Sequence, residues 1–254
     1  MRQLDLSSVN LSSKDVLKGL RLPKVLSPDL AYVCGILAGD GSIYTRASKH
    51  DFVIKCVSNP LDEKPLYDDV LSGLFLKLFG LCLTMKMQDS NTTYGFVVYS
   101  RGLLQFFHKV IGLPCGKKYA ELCIPSLFSS DKTLLAAFIR GVADTDFALL
   151  LKRGSKKQPF YPVIAGSSKS KWFMQQISDE LEKFSMKVTR YFDYVMKDSR
   201  VKNGYTIINR VEICGHKNFG IWMNTIGFSS PKHLNKVKKL KIAGSGFEPP
   251  TSTV

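Results

Sequence analysis

Two nine-residue segments, 106 residues apart, constrain this chain more than anything else in it. They are Val33-Cys34-Gly35-Ile36-Leu37-Ala38-Gly39-Asp40-Gly41 and Ile139-Arg140-Gly141-Val142-Ala143-Asp144-Thr145-Asp146-Phe147. The same offset pairs Ala31 with Ala137, Gly35 with Gly141, Gly39 with Thr145 and Asp40 with Asp146. Small residues recur at every fourth position, so each copy carries a smooth stripe on one helix face that lets a second backbone approach. Each helix then closes on an aspartate, where its dipole is negative and an acid is disfavoured by about 0.3–1 kcal/mol. An unfavourable choice made twice asks for a compensating cation.

Similar patterns follow each segment. Ser27-Pro28-Asp29 opens a helix with a cap, a proline in the first turn and an acid near the positive end of the dipole, and this helix is predicted to run to Asp40. Strands are expected at 42–46 and 51–58, a helix at 64–78, strands at 81–88 and 94–100, and a helix at 103–111 before Gly112-Leu113-Pro114. Ser129-Ser130-Asp131 opens a second series: a helix to Asp146, strands at 148–153 and 160–165, a helix at 171–184, strands at 186–194 and 205–214, and a helix to Ile226-Gly227-Phe228. Gly112 and Gly227 read as matching punctuation. The repeated unit is αββαββα, so the expected fold class is α+β: two pseudo-symmetric halves, each a saddle-shaped antiparallel sheet with helices on one face, and the motif helices paired at the seam. The expected divisions are an arm (1–26, with a short helix at 13–20), a first half (27–128), a second half (129–242) and a disordered tail (243–254) of shifted composition.

A formal charge of +15 and a pI near 9.5 point to a polyanionic partner, although ribosomal and membrane-surface proteins are as basic. Cys34, Cys56, Cys82, Cys115, Cys123 and Cys214 stand singly, without CxxC or Cys/His clusters, and read as reduced thiols. The N-terminus lacks a signal-peptide core, and no run of about 18 apolar residues could span a bilayer. A soluble intracellular protein, with no membrane partner, is expected.

The paired segments resemble the LAGLIDADG motifs of homing endonucleases and maturases, and the resemblance covers residues 27–240. Gly35 with Asp40, and Gly141 with Asp146, meet the third and eighth motif positions; Asp144 supplies the sixth-position acid that Ala38 lacks. The final motif glycine is present as Gly41 but replaced by Phe147. If that glycine closes its helix in the left-handed region, a bulky residue there costs about 1–2 kcal/mol, and Asp146 is expected to be displaced. The resemblance implies a monomeric, intron-encoded homing endonuclease that hydrolyses both strands of a long duplex DNA target across the minor groove.

In that scheme Asp40 and Asp146, with Gly39 and Thr145 beside them, hold Mg²⁺ or another divalent cation such as Mn²⁺ or Ca²⁺. Hard carboxylates suit Mg²⁺, which keeps several waters and takes phosphate oxygens. The family layout further implies that Asn59, with Ser168 as its counterpart, orients the attacking water, and that Arg101, opposite His216 and Lys217, steadies the phosphate. Alternation along the strands puts Thr84, Lys86 and Gln88 on one side, matches Thr84 to Thr189 and Lys86 to Tyr191, and groups Ser42, Tyr44 and Arg46, with Arg153 near the corresponding strand end. These are the candidate DNA-reading residues. Lys156, Lys157, Lys232, Lys236, Lys238, Lys239 and Lys241 are candidate phosphate contacts. Each of these polar residues also fits an ordinary solvated surface.

Two other readings use the same fold: a maturase that binds intron RNA, and a DNA-binding protein that has lost catalysis. Gly246-Phe247-Glu248-Pro249 can be encoded by GGG TTC GAA CCC, which has the look of a tRNA T-arm. We take this as an expectation that the reading frame leaves an intron into a tRNA exon; genomic flanks without tRNA sequence would reject it.

Overall fold

A computed structural model describes residues 2–243 except 47, 49, 156, 157 and 200, and leaves out the side chains of 155, 158, 159 and 241–243. The expected tail beyond 243 and its tRNA-like segment, together with Lys156, Lys157 and the Lys241 side chain, lie outside the described residues.

The first series comprises α1 (Ser13–Leu17), α2 (Pro28–Gly39), β1 (Gly41–Arg46) and β2 (Asp51–Ser58). A long helical run follows: α3 (Pro60–Pro65), a π-helical stretch (Leu66–Leu71) and α4 (Ser72–Phe79). Next come β3 (Lys86–Gln88), β4 (Thr93–Tyr99) and α5 (Arg101–Gln105), which continues as a π-helical stretch over Phe106–Ile111. Two short helices, α6 (Lys118–Glu121) and α7 (Ser126–Ser129), lead to α8 (Lys132–Asp146). The second series is β5 (Phe147–Ser155), β6 (Gln158–Ser168), α9 (Lys171–Lys183), β7 (Val188–Lys197), β8 (Tyr205–Cys214), α10 (His216–Thr225) and α11 (Pro231–Ala243).

The α+β reading with a repeated antiparallel sheet holds. The sheets have orders β1-β2-β4-β3 and β5-β6-β8-β7, all neighbours antiparallel. Helix ends repeat as well: Gly80 and Ser185, directly after the matched Phe79 and Phe184, have φ of 69° and 64°, and Gly112 and Gly227 have φ of 93° and 68°. Left-handed residues satisfy the last helical carbonyls and stop the helix, which is why glycine punctuates both halves alike.

Several elements depart from expectation, among them the short helix α6, which was not foreseen. The strand predicted over 81–88 pairs only at Lys86–Gln88, so Thr84 lies outside it. Pairing stops opposite Gly95. The segment 126–129 is a separate short helix ahead of α8, which opens as expected at Asp131, whose carboxylate accepts from the Thr133 and Leu134 amides at 2.8 and 3.1 Å. Helix α11 was not foreseen, because its lysine-rich sequence has little apolar periodicity.

The arm is anchored. Ser12 and Asp15 form a reciprocal cap on α1, and the buried Asp15 carboxylate also accepts from Ser100 Oγ at 2.6 Å and the Gly102 amide at 3.1 Å. One side chain thereby closes two helices, α1 and α5. All six cysteines are free thiols. No described helix is long and apolar enough to cross a membrane.

By compactness the chain divides into Met1–Thr145 with Ser229–Lys232, and Asp146–Phe228 with His233–Val254. Within the first unit, α2 meets α8 backbone to backbone. A Cβ on Gly35 would lie 2.1 Å from the Phe138 carbonyl oxygen and 2.9 Å from Gly141 Cα. A Cβ on Gly141 would lie 2.2 Å from the Tyr32 carbonyl oxygen. The small-residue stripes therefore do what their periodicity predicts. Helix α2 is buried from Leu30 to Ala38, which explains its near-absence of polar residues. We predict that Gly35→Ala lowers stability by about 1–3 kcal/mol or more through backbone displacement, read as a lower urea midpoint; an unchanged midpoint would contradict the contact.

Candidate active site and sheet faces

Asp40 is the half-buried residue that ends α2, its amide bonded back to the Ile36 and Leu37 carbonyls. Tyr67, on the π-helical stretch, donates its hydroxyl to Asp40 Oδ2 at 3.0 Å, and Cys56 Sγ lies 3.4 Å from the same hydroxyl. Burial, reinforced by the charge of Asp40, pushes both the Tyr67 hydroxyl and the Cys56 thiol well above their ordinary pKa ranges. Tyr67 thus stays protonated and holds one carboxylate oxygen. From α6, the Lys118 ammonium bonds the carbonyls of Gly39 and, at 3.0 Å, Gly41. Asp40 is bracketed by a cation on the residues either side of it.

The expected left-handed closing glycine is not found in either copy. Neither Gly41 nor Phe147 has a positive φ; each passes straight into the first strand of its sheet. Gly41 is small for another reason: a Cβ there would lie 2.5 Å from the Leu37 carbonyl oxygen. Phe147 is buried with its ring over Gly166, its cross-strand partner, where a Cβ would come within 2.0 Å of the ring. The ring also stacks on the buried Trp222 at 6.1 Å between centroids. The equivalent pair in the first half is Gly41 with Cys56. Large and small have exchanged strands, so the strain expected to displace Asp146, the last residue of α8, is absent. Phe147→Gly, which restores the motif letter, is predicted to destabilise by about 3–5 kcal/mol because it leaves a cavity; equal or higher melting temperature would refute this.

Asp144 is fully buried and ties α8 to its neighbours in the first unit. It accepts from Tyr32 Oη at 2.7 Å and from the Ser229 amide at 2.9 Å. Burial outweighs the bonds from Tyr32, Ser229 and Ser230 and pushes its pKa up to about 6. A raised folded pKa means that this group's contribution to stability is full below the unfolded value near 3.8 and is lost as pH rises through about 6. Between those limits Asp144→Asn, which keeps an acceptor for Tyr32, should flatten the pH dependence of the melting temperature. Parallel curves for the two proteins would argue against the shift.

The other predicted catalytic positions have local tasks. Asn59 caps α3, accepting from the Leu61 amide at 3.0 Å. Ser168 Oγ accepts from the Ser170 amide at 3.2 Å. Arg101 opens α5 with its guanidinium 5.2 Å over the Phe52 ring. His216 and the exposed Lys217 begin α10 after Gly215. The Thr145 hydroxyl bonds back to the Val142 carbonyl at 3.0 Å.

Cross-strand partners share a face, so register assigns the sheet surfaces. On the first sheet it places Ser42, Tyr44 and Arg46 with Lys86 and Gln88, as alternation predicts, and adds Lys55 and Tyr99. The Arg46 guanidinium lies 5.7 Å from the Tyr44 ring and 6.0 Å from the Tyr99 ring. On the second sheet Thr189 and Tyr191 share a face with Lys152, Arg210 and Glu212. Lys152 bonds Glu212 at 2.9 Å, and Arg210 pairs with the same carboxylate. Arg153, the expected member, falls on the opposite pleat, one residue out of register. Among the candidate phosphate contacts, Lys232 is bonded to Glu63 at 2.8 Å, while Lys238 and Lys239 are exposed. The signal missed for Lys55 and Lys152 was a lone lysine within an apolar strand. Tyr67 and Lys118 had none, since their roles arise only when distant segments meet.

No family model matches this chain, and no curated protein matches its sequence. Its fold does match solved structures. I-DmoI in complex with DNA and Ca is 16% identical with a TM-score of 0.54, covering 84% of this chain and 97% of that one. A variant of I-SmaMI is 14% identical with a TM-score of 0.54, covering 86% and 90%. The I-LtrWI LAGLIDADG homing endonuclease bound to target DNA is 14% identical with a TM-score of 0.52, covering 85% and 89%. The chain thus has the two-sheet fold of the LAGLIDADG homing endonucleases.

Proposed function

We propose that this chain is a site-specific, divalent-metal-dependent DNA endonuclease that cuts both strands of a long duplex target, working as a monomer of the intron-encoded homing type. The observation that carries the reading is the doubled device of a small-residue helix ending in a carboxylate, Asp40 or Asp146, at the first strand of a four-stranded antiparallel sheet. Its support is the residue match to the motif and the fold shared with DNA-bound endonucleases. A single chain with two such devices has one for each strand of a duplex.

A divalent cation fits the surroundings of Asp40. The donors offered there are oxygens (the carboxylate and the Gly39 and Gly41 carbonyls), and the two carbonyls already gather a cation, the Lys118 ammonium. Among the described residues no group of three or more His, Cys, Asp or Glu is placed to hold a metal alone. That suits Mg²⁺, which takes one or two carboxylates and fills its shell with water and substrate phosphate. Bound there, the ion would activate water and offset charge on the phosphate and the leaving oxygen. Tyr67 keeps the Asp40 carboxylate oriented, and burial keeps Tyr67 protonated. The faces carrying Ser42, Tyr44, Arg46, Lys55, Lys86 and Gln88, and Thr189, Tyr191, Lys152 and Arg210, present donors and aromatic edges to base pairs in a major groove. Lys238 and Lys239 supply phosphate contacts.

The test is selection of binding sites from a random duplex library in Ca²⁺, followed by cleavage of the selected DNA in Mg²⁺ and in EDTA. Asp40→Asn and Asp146→Asn should each slow cleavage of one strand at least about 100-fold, the equivalent of the several kcal/mol a metal supplies, and leave a nicked product. Tight, specific binding without cleavage in any metal would overturn the enzyme and favour a degenerate binder; preference for RNA would favour the maturase.

A further inference from the structure

We propose that Lys118 is a built-in cation of the Asp40 site, which holds the end of α2 in the metal-free protein and competes with the divalent ion for the Gly39 carbonyl. The inference rests on the reading that Asp40 and Gly39 bind metal. Its basis is geometric. The last turn of a helix leaves carbonyls without internal partners and a negative dipole end. At the end of α2 the last helical residue, Gly39, and the first strand residue, Gly41, both turn their carbonyls to one ammonium. Asp40 lies between them, so the ammonium neutralises the region in which three oxygen donors and a carboxylate charge accumulate. A divalent ion entering on Asp40 and the Gly39 carbonyl meets that ammonium, and the two like charges on one carbonyl oxygen repel each other. That repulsion drives the lysine off the Gly39 carbonyl, to keep Gly41 or to leave altogether.

The device belongs to one half of the molecule. Lys118 stands on α6, in the segment joining the two repeats, which occurs once. Counting from the matched Gly112 and Gly227, the position equivalent to Lys118 is His233, which is buried with its ring stacked 4.5 Å from that of Phe228.

The experiment is Mn²⁺ titration of the DNA-free protein, with free Mn²⁺ followed by electron paramagnetic resonance, on wild type, Lys118→Met, Lys118→Gln, Asp40→Asn and the Lys118→Met/Asp40→Asn double variant. Lys118→Met should bind Mn²⁺ at least about fivefold more tightly at one site, the factor that two unit charges about 4 Å apart give in water and a lower bound for a divalent ion. Lys118→Gln, which keeps a donor for the carbonyls without the charge, should show the same gain and guards against a folding defect in the methionine variant. In EDTA the melting temperature of Lys118→Met should fall below wild type, and Mn²⁺ should raise it by more than it raises wild type. Unchanged or weaker Mn²⁺ binding in both Lys118 variants would overturn the proposal. If Asp40→Asn leaves Mn²⁺ binding untouched in wild-type and Lys118→Met backgrounds, the metal-site reading itself fails.

Discussion

The contact between the backbones of α2 and α8 is the constraint on which the rest depends. Gly35 and Gly141 face each other with no room for a Cβ on either. Such an approach removes the side-chain layer that normally separates helices, so axial position and rotation are both set by main-chain atoms. Tyr32 and Asp144 then lock the pair with a buried hydrogen bond near the same level. A helix fixed this rigidly can present its last residue with little freedom, which is what a carboxylate serving a metal requires.

The two copies of this device solve the step from helix to strand differently. In the first, a glycine enters β1 because the preceding turn of α2 leaves no space, and a cysteine sits across from it. In the second, phenylalanine enters β5 and the glycine has moved to β6, where the ring lies on it and on Trp222. The glycine has changed strands, and the larger Phe147 ring fills the space above Gly166 and against Trp222. At the end of the first helix, Tyr67 bonds the Asp40 carboxylate and Lys118 brackets it.

Much was legible in the sequence because the information is local. Periodicity located the repeated helices and most strands but not α6, α7 or α11; the two aspartates were found by their repeated offset, and the alternation of Ser42, Tyr44 and Arg46 predicted a face that register bears out. Strand 205–214 was anticipated at its observed bounds, and Gly112 and Gly227, read as matching punctuation, are left-handed in the structure. Errors arose where one residue of register matters, as for Arg153 against Lys152, or where a glycine has two possible reasons to be a glycine, as at Gly41.

By itself, the sequence determined the duplicated αββαββα order, the smooth helix faces and the two terminal carboxylates, since each is written in spacing along a few turns of chain. Only the tertiary structure decided that Asp15 caps two helices, that Gly166 makes room for Phe147, that Asp144 is buried against Tyr32, and that a lysine from the joining segment sits on the carbonyls beside Asp40. Those partners are separated by from 19 to 112 residues in the chain. No local pattern links them: which distant groups meet depends on packing, and burial then decides which of them carry charge.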